Sequence, residues 1–342
     1  MNTCLTILAL LFSLMVFPQR KIHDFSSVDQ QVRFIRIVKT DSLAKQLAAL
    51  GKTDIEKVRA IFRWITEHID YNMKVFNRNK NAATNGFIFE DPLDSIAPLP
   101  SLNERVAEKV LKRKTAFCDG YSRLFKTLCD HAGIRSEIIM GYARNMNSRS
   151  GNRFAVNHTW NAVYIDSTWQ LLDVTWASGF VSYSNEYTRQ YNDFYFLTAP
   201  EQFIVDHYPE DLQWTLLSDP PDLREFKQGP FRYSSFVRSG IISYWPVSGV
   251  IEAAIGDSIR IELKTKNLTE NFFIAESAVP DSSQLFFKPI DILNPEKVSF
   301  THTISNNAKD WLYIFYNDEI VMRYKLNVKK EKVQEPVNRQ GF

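Results

Sequence analysis

Apolar residues recur at three- and four-residue steps in the first half of the chain, and this period predicts amphipathic helices. The longest stripe follows the capping sequence Thr53-Asp-Ile-Glu56 and predicts a helix that ends at about His68. A shorter helix is predicted over residues 42–50, with Gly51 ending it. Residues 71–100 are rich in Asn, Pro and Gly and predict a long loop.

Two further helices are predicted after this loop. A second capping box begins at Ser101 and predicts a helix to about Lys112. Residues 117–132 carry another apolar stripe that stops at Gly133, a residue typical of helix C-termini. This pattern places Cys118 in the first turn of a helix.

Alternating apolar and polar residues replace the helical period after residue 133, and alternation predicts strands. Strands are predicted over residues 137–143, 156–165 and 169–175, with a turn at 166–168 between the last two. Because the helices come first and the strands after them, the predicted fold class is α+β.

The sequence changes character again at residue 231, where short alternating strands begin, such as Ile259-Arg-Ile-Glu-Leu263. Residues 311–324 predict a hairpin around Asn317-Asp318. We therefore expect a second domain over residues 231–330, an all-β sandwich, and a polar tail over 331–342.

Composition indicates a globular chain that does not bind nucleic acid. The chain has 342 residues and is 44% hydrophobic, and its 41 Lys and Arg balance 39 Asp and Glu to a net charge of +2. The histidines show no metal-ligand spacing, and His23, His207 and His302 are interpreted as structural. We predict no cofactor and no metal.

An apolar run from Leu5 to Phe17 is too short to cross a bilayer and fits the core of a signal peptide over residues 1–18. The chain is therefore expected to be exported to the periplasm, the cell surface or the medium, without a stable transmembrane segment; an internal helix is the alternative. Cys118 and Cys129 lie on one predicted helix, roughly 16 Å apart at 1.5 Å per residue, so no disulfide joins them.

Three residues form a candidate catalytic set. A helix N-terminus favours the thiolate form of a cysteine, as at Cys118, and a histidine backed by a carboxylate can move the proton. His158 and Asp173 lie on neighbouring predicted strands. A turn at residues 167–168 would pair Asp173 with Ala162, four positions from His158. The separation along the strand would be roughly 13 Å, which a bulge or a strong twist would have to close. Considered one at a time, Cys118 is interpreted as a core thiol, His158 as a structural histidine and Asp173 as a turn cap.

The joint order of these residues resembles the transglutaminase-like cysteine enzymes, which are related to papain. Three motifs carry the resemblance: Cys118-Asp-Gly-Tyr-Ser122 with its helix and following strand, His158-Thr-Trp-Asn-Ala-Val-Tyr164 with residues 169–175, and residues 191–198 with 200–209 and 213–217. The third is similar to the kyphoscoliosis peptidase branch. Ala116 departs from the family pattern, in which glycine is common, so we expect a slightly different entry loop.

The resemblance implies a transglutaminase-like domain over residues 41–228 with Cys118 as nucleophile, His158 as general base and acid, and Asp173 as orienting carboxylate. It implies acyl transfer from amide bonds of proteins or peptides to water or to an amine. The Cys118 backbone N–H is one implied oxyanion donor, and no second donor is identified. Trp160 and Trp176 are either core residues or walls of the cleft. The alternative function is a non-catalytic binding or scaffold module that holds a protein or a cell-wall polymer.

Overall fold

The computed structural model describes residues 23–36, 39–73, 100–144, 156–182, 186–265, 272–277, 286–287, 291–294, 297–306, 308 and 310–329. The predicted signal peptide over residues 1–18 and the tail over 331–342 lie outside the described residues, as does most of the predicted loop over 71–100. Within the described part, no helix is both long and apolar enough to cross a bilayer.

Helices dominate the first half of the described chain, as predicted. They are α1 Ser26–Gln31, α2 Thr40–Leu50, α3 Asp54–His68, α4 Leu102–Arg113, α5 Cys118–His131, α6 Val174–Ser178, α7 Pro200–Phe203, α8 Leu223–Gln228 and α9 Ser234–Arg238. Short 3₁₀ turns occur at Val32–Phe34, Asp193–Tyr195 and Leu212–Thr215.

Strands follow from residue 136 onward, after two short ones within the helical part. They are β1 Asp70–Tyr71, β2 Thr115–Ala116, β3 Ser136–Ala143, β4 His158–Ile165, β5 Thr168–Leu172, β6 Gly179–Val181, β7 Tyr187–Arg189, β8 His207–Pro209, β9 Phe231–Arg232, β10 Ile241–Trp245, β11 Val250–Ala254, β12 Ser258–Thr265, β13 Phe272–Ser277, β14 Phe286–Phe287, β15 Asp291–Asn294, β16 Lys297–Thr303, β17 Trp311–Tyr316 and β18 Glu319–Lys329. The fold class is thus α+β.

The two predicted capping boxes differ in the structure. At α3, Thr53 accepts from the Glu56 backbone N–H, and the Glu56 side chain accepts from the Thr53 N–H at 3.0 Å, so the box is complete. At α4, Ser101 accepts from the Glu104 N–H, but the Glu104 carboxylate instead contacts Thr40 and His131. Tertiary contacts with α2 and α5 therefore replace the reciprocal half of the second box.

Helix α5 lies in the middle of the main apolar cluster. Its apolar stripe is fully buried: Tyr121, Leu124, Phe125, Leu128 and Cys129. The same cluster contains residues of α2, α3 and α4, so α5 has helices around it and the sheet on its remaining side. Burial of this stripe fixes α5, and with it Cys118, relative to the sheet.

A four-stranded antiparallel sheet in the order β5-β4-β3-β8 packs beside α5. The β4–β5 hairpin departs from the predicted register. Its two-residue turn is Asp166-Ser167, both with positive φ (49° and 64°), and it pairs Ala162 with Leu171. The predicted turn at residues 167–168 would have paired Ala162 with Asp173. That prediction was wrong, and the partner of Ala162 is two residues earlier in β5.

The C-terminal strands form two further sheets, in the orders β10-β12-β16-β15 and β11-β18-β17-β13-β14. Most of their pairs are antiparallel, but β11 and β18 are parallel. Buried side chains from both sheets, including Ile261, Phe300 and Tyr324, belong to one apolar cluster. The predicted turn at Asn317-Asp318 is confirmed, with φ of 51° and 64°. The sandwich arrangement and the boundaries 41–228 and 231–330 stay predictions.

Candidate active site

Cys118 is the first residue of α5, with Phe117 at the N-cap position, as the apolar stripe predicted. The side chain is buried, with 1% of the residue exposed. The next residue, Asp119, is held by Arg123 one turn later through N–O distances of 3.0 and 2.9 Å. The thiol therefore lies at the partly positive end of a well-anchored helix. Cys118 and Cys129 are both free thiols.

His158 and Asp173 form a direct hydrogen bond. Nε2 of His158, the first residue of β4, lies 2.6 Å from Oδ2 of Asp173. Asp173 is fully buried at the N-cap of α6, where its Oδ1 accepts from the backbone N–H groups of Thr175 at 2.8 Å and Trp176 at 3.0 Å. One oxygen thus caps a helix and the other faces the imidazole, so the turn-cap interpretation of Asp173 also holds.

The hairpin register explains how the two residues meet without a bulge. Since Ala162 pairs with Leu171, extending the pairing places Asp173 opposite Trp160, two positions from His158 and on the same face. The separation along the strand is roughly 7 Å at 3.3 Å per residue, rather than roughly 13 Å. Strand β5 ends at Leu172 instead of residue 175, and the chain turns there into α6. The expected bulge is not needed.

The Cys118 thiol also interacts with the His158 ring and favours its protonated form. Because Nε2 faces Asp173, Nδ1 is the ring nitrogen that is left for the thiol. Burial lowers the pKa of His158, but the Asp173 carboxylate and Cys118 outweigh burial and raise that pKa to about 9. Burial would raise the pKa of Asp173, whereas His158 and His207 hold it well below its usual value. At neutral pH the arrangement therefore favours an imidazolium between a carboxylate and the sulfur.

His207 is a further member of this site that the sequence pattern did not predict. Its Nε2 lies 2.9 Å from the same Asp173 Oδ2 that faces His158, and its Nδ1 lies 2.6 Å from Oδ1 of Asp206. Tyr195 donates to the other Asp206 oxygen at 3.0 Å. The sequence did not indicate that His207 belongs to the site; pairing of β8 with β3 brings it there, and its ring centroid lies 5.4 Å from that of His158.

The sequence contained only an indirect signal for His207. It belongs to the segment 200–209 that resembles the kyphoscoliosis peptidase branch, but it is far from His158 in sequence and lies on a three-residue strand. No periodicity can position so short a strand.

A metal is one possible use of three such side chains. Ligand atoms of His158, Asp173 and His207 all lie within 4.8 Å of one another. The N–O distances of 2.6 and 2.9 Å are those of direct hydrogen bonds, and both imidazoles point their Nε2 at one carboxylate oxygen. These atoms satisfy each other, and we interpret the group as a hydrogen-bonded network.

The two candidate tryptophans have different positions. Trp160 is 1% exposed and packs against Phe203 and His207, so it is a core residue. Trp176 is half-buried, and its ring centroid lies 5.4 Å from that of His158. Ala116 lies in β2, and the left-handed residue of the entry loop is Lys114, with φ of 56°. Alanine at residue 116 is therefore accommodated without strain.

Comparison with known proteins gives the class to which this arrangement belongs. Residues 41–174 match the family model described as Transglutaminase-like superfamily, and this part of the chain is a transglutaminase-like domain. Among individual relatives, the chain is 34% identical over 219 residues to kyphoscoliosis peptidase of Homo sapiens, a match that covers 63% of this chain and 30% of the relative.

Two other relatives carry different names. Hillarin of Drosophila melanogaster is 34% identical over 213 residues, covering 58% of this chain and 23% of the relative. Cytokinesis protein 3 of Schizosaccharomyces pombe is 28% identical over 194 residues, a match that covers 55% of this chain and 19% of the relative. The chain thus spans less than a third of the length of each of these relatives.

Proposed function

We propose that the chain is a thiol-dependent acyl-transfer enzyme that acts on amide bonds of proteins or peptides. Cys118 is the nucleophile, His158 the general base and acid, and Asp173 the orienting carboxylate. The observation that carries the proposal is the 2.6 Å hydrogen bond from His158 to Asp173, on a ring whose pKa Cys118 also raises. A relative named as a peptidase supports the same function.

The geometry supports a two-step reaction. The Cys118 sulfur attacks the carbonyl carbon of an amide, the C–N bond breaks, and the His158 imidazolium gives its proton to the departing nitrogen. The product of this step is a thioester on Cys118. Water or an amine then attacks the thioester carbonyl and gives a proton to His158, and the C–S bond breaks to restore the thiolate. Water makes the enzyme a peptidase or amidase, and an amine makes it a transglutaminase-type enzyme.

The proposal is tested with p-nitrophenyl acetate, which acylates reactive thiolates, on the full-length protein. Mass spectrometry of the proteolysed protein locates the acetyl group. We expect an adduct on Cys118 in the native protein, no adduct in Cys118→Ser and an undiminished Cys118 adduct in Cys129→Ser, a buried thiol of the same helix. Acetylation that persists elsewhere at the same rate in Cys118→Ser contradicts the proposal.

A non-catalytic binding module is the second candidate, and the burial of Cys118 favours it. With 1% of the residue exposed, a substrate carbonyl reaches the sulfur only if neighbouring groups move. One relative is named for cytokinesis rather than for an enzyme activity. A native protein that keeps its circular dichroism spectrum but never acquires an adduct on Cys118 would favour this candidate.

Two further properties belong to the proposal. We propose that the chain is exported, which rests on the apolar run from Leu5 to Phe17. We also propose that the two C-terminal sheets pack as a sandwich, supported by their common apolar cluster. Edman sequencing of protein recovered from the culture medium tests export, since a chain that retains Met1 and stays in the cell contradicts it.

A further inference from the structure

The Asp173 carboxylate accepts four hydrogen bonds. Its Oδ1 accepts from two backbone N–H groups of α6, and its Oδ2 accepts from His158 at 2.6 Å and His207 at 2.9 Å. An ionised carboxylate has about four lone-pair sites, so its capacity as an acceptor is used completely. His207 supplies one quarter of these bonds although it does not face the thiol.

The hydrogen bonds also fix the charge of His207. Its Nε2 faces Asp173 and its Nδ1 faces Asp206 at 2.6 Å. An ionised carboxylate only accepts hydrogen bonds, so both ring nitrogens of His207 must carry protons. The Asp206 carboxylate in turn accepts from the Tyr195 hydroxyl at 3.0 Å. His207 is therefore a buried imidazolium held between two carboxylates.

Aromatic rings surround this cation. The ring centroids of Phe203, Trp176 and Trp160 lie 4.3, 4.6 and 5.0 Å from that of His207. Within the described residues, the titratable groups that face the ring are His158 and Asp173 in the site and Asp206 and Tyr195 beside it. The aromatic faces favour a cation and exclude water, which strengthens each charge interaction in the group.

We propose that His207 is a positioning residue for the proposed acyl transfer. As an imidazolium, it fixes the Asp173 oxygen that faces His158. Its charge also offsets part of the negative charge that Asp173 presents to His158. This inference rests on the proposed function of Cys118, His158 and Asp173. Two effects follow from it. The hydrogen bond keeps Asp173 from rotating away from His158, and the positive charge, at a ring-centroid distance of 5.4 Å, disfavours a second proton on His158.

The first test uses the native protein, labelled with ¹⁵N in its histidines. Chemical shifts of the ring nitrogens distinguish a doubly protonated ring from either neutral tautomer. At pH 7 we expect both nitrogens of His207 to be protonated, and the pKa of that ring, which burial lowers and Asp206 raises to about 9, agrees with this. A neutral tautomer of His207 at pH 7 overturns the proposal.

The second test separates the charge of His207 from its hydrogen bond. In His207→Gln, the amide can still donate to Asp173 but carries no charge. We expect the titration midpoint of His158 to rise by about one pH unit, because a neighbouring cation is removed. A side chain that only fills space would change the stability of the fold and leave this midpoint where it is, and an unchanged or lowered midpoint overturns the proposal.

Two controls complete the experiment. His131→Gln alters a histidine at the far end of α5, roughly 20 Å from Cys118 at 1.5 Å per residue, and should not move the His158 midpoint. His207→Leu removes both the charge and the donor and should reduce acetylation of Cys118 more than tenfold. Because the titration of His158 does not require a reactive thiol, this inference fails or survives separately from the Cys118→Ser result. If His207→Gln does not fold, the ¹⁵N measurement on native protein decides.

Discussion

Asp173 caps helix α6 with one carboxylate oxygen and lies 2.6 Å from Nε2 of His158 with the other. The same side chain thus joins a local element of secondary structure to the proposed catalytic base. Because the cap fixes the position of the carboxylate along the chain, the base is oriented by backbone geometry as well as by its own strand. A change at Asp173 should therefore disturb both the start of α6 and the orientation of His158.

Replacing Asp173 with Asn should reduce the rate of Cys118 acetylation by about 10²–10⁴-fold at neutral pH. The amide preserves the size of the side chain, but it leaves two buried imidazoles without their shared anion. The rate is measured by mass spectrometry with p-nitrophenyl acetate. Asp130→Asn is the matched control, since Asp130 is an exposed partner of Lys126 on α5. A variant Asp173→Asn that reacts as fast as the native protein contradicts the orienting role.

The sequence was sufficient to predict the positions of Cys118 and His158, which depend on the period of apolar residues. The apolar stripe placed Cys118 at the start of α5, and alternation placed His158 on a strand, because each signal repeats over many residues. The hairpin register could not be obtained in this way. It depends on which two residues adopt positive φ, and Asp166 and Ser167 compete for the turn with Thr168 in a segment that lacks glycine.

The position of His207 could not be predicted from the sequence, for a different reason. Its position depends on pairing between β8 and β3, two strands that are far apart in sequence and joined by three residue pairs. So few pairs leave no pattern along the chain, and only tertiary packing places the ring beside Asp173. The sandwich arrangement is likewise undecided by alternation, which predicts strands but not how sheets pack.

The stability of the fold should fall as pH rises from about 6.5 to about 9. Burial lowers the pKa of both His158 and His207. Asp173 nevertheless raises the pKa of His158, and Asp206 raises the pKa of His207, each from 6.5 to about 9. The folded state therefore keeps two protons that the unfolded chain releases above pH 6.5. This stabilisation is fully present below pH 6.5 and is lost as pH rises through about 9.

The size of this effect is at most about 3 kcal/mol for each histidine, at 1.36 kcal/mol per pKa unit. Urea unfolding of the full chain at a series of pH values measures it. The free energy of unfolding of His207→Gln should fall less steeply with pH than that of the native protein, because only His158 then contributes. A flat or rising profile across this interval would show that the two rings are not protonated in the folded state.

Gly141 should not tolerate a side chain. It pairs with His158 on one side and with Pro209 on the other. A Cβ at this position would meet the Tyr208 carbonyl oxygen, would lie 2.5 Å from the Trp160 ring and would lie 2.8 Å from the Pro209 Cα. Since two of these neighbours are backbone atoms, Gly141→Ala should force β8 away from β3.

We expect Gly141→Ala to lower the free energy of unfolding by about 1–3 kcal/mol, as overpacking does. It should also separate His207 from Asp173 and so lower the rate of Cys118 acetylation. Met140→Ala on the same strand is the control, because Met140 is 47% exposed and its truncation should change stability by less than about 0.5 kcal/mol. Equal stabilities of the two variants would contradict the close packing of β3 against β8.

The turn at Asp166-Ser167 should be improvable, because Ser167 adopts φ of 64° at a position that favours glycine. Ser167→Gly removes the strain of a side chain in the left-handed region and should raise the free energy of unfolding by about 0.5–1 kcal/mol. Thr168→Gly is the matched control: Thr168 begins β5, so glycine there should instead destabilise the strand by about 0.5–1 kcal/mol. Urea unfolding compares the two variants. If Thr168→Gly stabilises the fold, the turn lies at residues 167–168, and Asp173 shifts by two positions along β4, away from His158.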